Sequence, residues 1–149
     1  MPPLTVVIAD AERTTRAACR RGLLSEKRIG VVREARNAME TIAAADLKPR
    51  ILLLSLTALG GHGVSLLPII RGKSPSTRVL LLTGRASEAR ILDALSHGAQ
   101  GYLPRKILPD MLVRAVLAVD AGEAWVPRKM VGKIIERLAR LTGRARGRA

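Results

Sequence analysis

Short β-branched or leucine-rich runs alternate along the chain with longer stretches in which apolar residues recur every three or four positions. Leu4-Thr5-Val6-Val7-Ile8 reads as a first strand, closing at Ala9-Asp10. Arg13 to Leu24 sets Ala17, Ala18 and Leu24 opposite arginines, an amphipathic helix. Ile29 to Val32 is a second strand. Asn37 can cap a helix from Ala38 to about Leu47, with Met39, Ile42 and Ala43 inward and Pro49 as the stop. Ile51-Leu52-Leu53-Leu54 has no polar break, which predicts a strand buried on both faces. Ser55 follows at its C-terminal end, and then the loop containing Gly60-Gly61-His62-Gly63. A third helix uses Val64, Leu66, Leu67, Ile69 and Ile70, and Pro68 inside it predicts a kink or a late start. Ser74-Pro75-Ser76 turns the chain into a fourth strand, Arg78 to Leu82. Ser87 caps a fourth helix through Ile91, Leu92, Ala94 and Leu95 that ends at Gly98. Gly101-Tyr102-Leu103 is a short fifth strand, and Leu108 to Ala121 a fifth helix facing inward with Met111, Leu112, Ala115, Val116 and Val119. Trp125-Val126-Pro127 introduces one more helix, Met130 to about Leu141, with Val131, Ile134, Ile135 and Leu138 on one face. Residues 142–149 have no apolar periodicity and read as a flexible basic tail.

Five strands alternating with five helices predict an α/β domain with a parallel sheet covered on both faces, since such crossovers are right-handed. A length of 149 residues with 48% hydrophobic content suits one compact domain, here 4–125, followed by a linker helix and basic tail, 126–149. No apolar run approaches the roughly 20 residues of a membrane span. Met1-Pro2-Pro3 leads straight into the first strand, so no signal peptide is expected. Cys19 as the single cysteine excludes an internal disulfide framework and fits a cytoplasmic location. His62 and His97 are the only histidines, too few for a protein-only zinc site.

The formal charge of +14 changes the picture because half of it sits at one end: from Pro127 onward there are eight Lys/Arg and one acid, Glu136. Such a segment suits nucleic acid or an acidic protein surface, or simply a solvated linker. Tyr102 and Trp125 are the only aromatics, which leaves nothing from which to build a base-stacking platform.

Candidate chemistry gathers at the strand ends, where open α/β sheets place it: Asp10, Ser55, Thr83 and Arg105. The turn Asp10-Ala11-Glu12-Arg13 has none of the glycines of a dinucleotide site, and Ser55 lacks the glycines of a Gly-x-Ser-x-Gly elbow, so an enzyme is not expected. The stretches Val7-Ile8-Ala9-Asp10, Ser74-Pro75-Ser76-Thr77-Arg78-Val79-Leu80-Leu81-Leu82-Thr83, Gly98-Ala99-Gln100-Gly101-Tyr102-Leu103 and Ala121-Gly122-Glu123 resemble the receiver domain of bacterial two-component response regulators, in particular those followed by a LuxR-type helix-turn-helix. The likeness runs from about Leu4 to Trp125.

That resemblance implies a flavodoxin-like doubly wound five-stranded parallel sheet, order 2-1-3-4-5, with five helices. It also implies a site in which an acidic pair and an aspartate hold Mg²⁺, the aspartate takes a phosphoryl group, a hydroxyl and a lysine contact it, and an aromatic moves with the hydroxyl. Carried over by position, the acidic pair falls on Asp10 and Ala11, the phosphoacceptor on Ser55, the hydroxyl on Thr83, the lysine on Arg105 and the aromatic on Tyr102. Ala58-Leu59 replaces the usual Met-Pro. Two of three carboxylates are therefore missing, and Asp10 alone is a poor Mg²⁺ site. An un-ionised serine with no base beside it is a poor phosphoacceptor. The expectation is a pseudo-receiver without cofactor, in which Asp10 and Arg105 pair across the emptied pocket, possible bridges being Ser55 or Thr83. Its implied partners are a second copy of the chain and other proteins, with DNA reached only through a helix-turn-helix outside this sequence. The alternative is a stand-alone adaptor whose basic tail docks to nucleic acid or to an acidic protein.

Overall fold

The structure is a computed structural model that describes residues 3–56, 59–60, 63–84, 86–107 and 109–146. Strands β1 (Leu4–Ala9), β2 (Ile29–Ala35), β3 (Ile51–Ser55), β4 (Arg78–Thr83) and β5 (Gly101–Pro104) form one sheet in the order β2-β1-β3-β4-β5, every pairing parallel. The connections are helices α1 (Arg13–Leu24), α2 (Ala38–Ala44), α3 (Gly63–Lys73) and α4 (Glu88–Ser96); α5 (Leu112–Asp120) and α6 (Arg128–Arg146) follow β5. This is the doubly wound α/β architecture that the alternation of periods predicts.

The central strands alternate their side chains between two cores, as a pleat buried on both sides requires. Ile8, Leu53, Leu80 and Leu82 meet Cys19 and Leu23 of α1 and Leu112, Val116 and Val119 of α5. Val7, Leu52, Leu54 and Leu81 meet the helices of the other face, among them Leu66, Leu67 and Ile70 of α3. Asn37 and Ser87 cap α2 and α4, accepting hydrogen bonds from the backbone N–H of Glu40 and Arg90.

Several expectations change. Leu24 and Met39 are 75% and 82% exposed, and Ala43 is exposed as well; Thr15, Cys19 and Leu23 face inward on α1, Thr41 and Ala44 on α2. In both helices the buried stripe lies about one residue from where the apolar spacing alone puts it. Ile69 is likewise half-exposed. α2 gives way at Ala45 to a 3-10 turn, then Lys48 takes φ +48 ahead of Pro49, which disfavours helix in the residue before it. α3 starts at Gly63 without a late start, and Pro68 is accommodated inside it. A Cβ at Gly63 would lie 2.7 Å from the Leu56 carbonyl oxygen, so the start of α3 is pressed against the end of β3. α5 starts at Leu112 because Pro109 and Asp110 form a turn, with the Leu112 N–H donating to the Pro109 carbonyl; Leu108 is outside the described residues. α6 continues to Arg146 through the segment that lacks apolar periodicity, where alanine and arginine keep helix propensity high; residues 147–149 are outside the described residues. No helix among the described residues is long and apolar enough to cross a membrane.

Candidate functional site

The carboxyl ends of β1, β3 and β4 and the start of the 3-10 turn after β5 converge on one pocket. Asp10 follows β1 and is fully buried, as is Ser55 at the end of β3. Thr83 is the last residue of β4, buried opposite Pro104 of β5. Arg105 comes immediately after β5 and folds back across the pocket. Its Nη2 donates to Asp10 Oδ2 at 2.9 Å and to Ser55 Oγ at 3.2 Å. Nη1 reaches Glu12 Oε1 at 3.4 Å. The guanidinium runs over Gly84, where an added Cβ would touch Nη1 at 3.5 Å.

Asp10 is held from two sides. Its Oδ1 accepts the backbone N–H of Glu12 at 2.8 Å, and its carbonyl accepts Arg16 Nη1 at 2.8 Å. Arg16 also donates to the Ala11 carbonyl at 3.2 Å and pairs with Glu34 of β2 at 3.4 Å. A buried carboxylate thus has its charge balanced by Arg105 and both oxygens hydrogen-bonded, the condition under which a buried ion survives desolvation. The arrangement is charge-compensated: a cation is already seated on the acid.

The pocket brings together Asp10, Ser55 and Arg105, with Thr83 beside them at the end of β4. Ala11 is exposed and contributes no carboxylate. Tyr102 is buried in the core on the α4 side of the sheet, clustered with residues including Ile91, Ala94 and Met130 of α6. Burial, then the charge of Glu88, raises its hydroxyl pKa. Ala58 of the loop beyond Ser55 is outside the described residues, while Leu59 is buried. Glu12 and Arg16 are members that residue spacing did not single out. The signal for Glu12 was a second acid two places after Asp10, ambiguous until the helix start fixed where it points.

Fold and site define a doubly wound α/β domain with its polar cluster at the carboxyl ends of the central strands, the arrangement of a receiver. Residues 6–117 match the response regulator receiver domain family, and the chain belongs to it. It is 29% identical over 133 residues to the transcriptional regulatory protein LnrK of Bacillus subtilis, across 89% of this chain and 60% of the relative. To the nitrate/nitrite response regulator protein NarL of Escherichia coli K12 it is 32% identical over 122 residues, across 81% of this chain and 56% of NarL. The chain therefore spans somewhat more than half the length of these relatives, which are named as regulators and not as enzymes. Among solved structures, a LuxR-family two-component response regulator from Aurantimonas superposes with TM-score 0.80 at 27% identity, covering 92% of this chain and 99% of that one. The signal receiver domain of a NarL response regulator from Mycobacterium tuberculosis gives 0.76 at 27% identity, covering 83% of this chain and all of that one (100%).

Proposed function

We propose that this chain is a pseudo-receiver: a non-catalytic, cytoplasmic regulatory module that works without phosphorylation. It acts by protein–protein contact or by dimerisation to control a DNA-binding transcription factor, attached or separate. The observation that carries the reading is the Arg105 guanidinium bonded to Asp10 and Ser55, in a pocket that keeps one of the three carboxylates the receiver pattern places there. The residues do not suit Mg²⁺, because that ion needs several hard oxygen ligands and the Asp10 oxygens are engaged by Arg105 and the Glu12 N–H. The Ser55 hydroxyl accepts from the Arg105 guanidinium, and a serine hydroxyl, un-ionised at neutral pH, is a poor phosphoacceptor. Tyr102, turned inward and covered in part by α6, supports a switch held in one state.

The test is incubation with acetyl phosphate and Mg²⁺ followed by intact mass. No phosphate adduct is expected, and a stoichiometric one would overturn the proposal. Size-exclusion with light scattering reads the dimer. The nucleic-acid alternative draws on the basic end of the chain; a gel shift that persists at low salt only while residues 142–149 are present would favour it.

A further inference from the structure

α6 is amphipathic, and the body of the domain covers only one edge of its apolar face. Met130 is buried among the α4-side core residues and Ile134 is half-buried against them. Lys133 pairs with Glu88 at 2.5 Å and Arg137 reaches Asp93 at 3.9 Å, so the covered edge is fastened to α4. About a quarter turn further round the helix, Val131, Ile135 and Leu138 follow at i, i+4 and i+7. Ile135 and Leu138 are 59% and 58% exposed. This second edge forms one wall of a groove of about 370 Å³, whose other wall is Leu95, Ala99, Ala124 and Val126. On its solvent side stands Gly132, where an added Cβ would meet nothing within 4 Å, so an approaching backbone can come close.

We propose that this groove docks an acidic amphipathic helix of a partner protein. The spacing of the exposed residues is that of a helix-in-groove contact. The charge selects the partner: residues 128–146 carry seven Lys/Arg and only Glu136 as an acid, and cations remain in excess after Lys133 and Arg137 are set against Glu88 and Asp93 and Glu123 of the groove wall is counted. A second copy of α6 would bring two strongly cationic helices side by side, which disfavours self-pairing. A bilayer is disfavoured because α6 has no aromatic anchor and half of its apolar face is already committed to the domain. DNA phosphates would use the cations and leave the apolar edge in water. An acidic helix satisfies both the apolar edge and the charge. The proposal is independent of whether Ser55 is ever phosphorylated.

The full chain is titrated with a fluorescent peptide of three heptads carrying leucine at a and d and glutamate elsewhere, whose own glutamates repel one another and oppose self-pairing. Saturable binding is expected. The neutral double substitution Ile135→Ser with Leu138→Ser is expected to weaken it about tenfold or more, and Leu24→Ser on exposed α1 to leave it unchanged. Both positions are exposed, so an unchanged melting temperature confirms that the variants fold. Equal binding by the double variant, or by a scrambled peptide of the same composition, overturns the proposal. So does an Ile135-dependent dimer in light scattering, which assigns the groove to a second copy. Ile135-dependent binding to vesicles containing anionic lipid, without peptide binding, assigns it to a membrane surface and overturns it equally.

Discussion

Arg105 and Asp10 carry unequal loads in their ion pair. Asp10 is fully buried, so Arg105→Ala removes the cation paired with its carboxylate and is expected to cost about 3 kcal/mol. Arg105 is partly exposed and also reaches Glu12, so Asp10→Ala is expected to cost less, about 1 kcal/mol. Urea unfolding of both single variants and the double variant should show coupling of about 1–2 kcal/mol, the double costing less than the sum. Additivity within about 0.5 kcal/mol would mean that the contact adds nothing beyond its parts. Cys19, beneath the same pocket, has its thiol pushed up to about 12, first by burial and second by the Asp10 charge. It is therefore expected to react with a disulfide reagent such as DTNB only when the fold opens, so that labelling slows in step with global stability. Modification as fast as that of a free thiol would contradict this. The pairing of Asp10 with Arg105 was legible in the sequence, because the two opposite charges lie at strand ends that the sheet brings to one edge. The place of Glu12 was not, since it depends on where α1 begins.

At the scale of elements, strands were easier to read than helix faces. Ile51–Leu54 reads as a strand buried on both sides and is one, whereas a helix stripe placed about one residue off exchanges Leu23 for Leu24 and leaves Met39 in solvent. The N-terminus of α2 shows what residue order alone does supply. Asn37 caps it, and Glu40 bonds back to the Arg36 N–H and guanidinium. The Arg36 side-chain hydrogen bond, then the backbone one, holds Glu40 at about 2, below the ordinary 4.5. Because the folded value is the lower one, the stabilisation is present in full above pH 4.5 and is lost as pH falls through about 2. NMR titration of Arg36→Ala is expected to move Glu40 back towards 4.5; no movement would remove Arg36 as the cause. α6 depends on packing in a way its sequence hid, since its anchor is Met130 at its first turn. Met130→Ala is expected to cost about 2–3 kcal/mol locally and to speed amide exchange along α6 while leaving β1 and β3 protected. Equal loss of protection across the sheet would show α6 to be an integral part of the core instead of a docked strap.

For the molecule as a whole, the question is whether its charges hold it together or push it apart. The ion pairs of the described residues lie mostly at the surface, where each contributes about 0–1 kcal/mol. Against them stand 26 basic residues and 12 acidic ones, an excess of 14 cations. Salt weakens attraction and repulsion alike, and the sign of its net effect reveals which is larger. The Arg105–Asp10 pair is the least affected, because Asp10 is out of reach of solvent ions. What salt relieves is then chiefly the mutual repulsion of a chain with net charge +14. Raising NaCl from low to moderate concentration is expected to raise the melting temperature by about 2–5 °C, on the order of 1 kcal/mol for a domain of this size. Ending the chain at Leu141 removes three arginines and no acid, and is expected to shrink that rise. A melting temperature that falls with salt would reverse the reading: the surface pairs would then outweigh the excess, and the basic end would already be neutralised by the domain it is attached to.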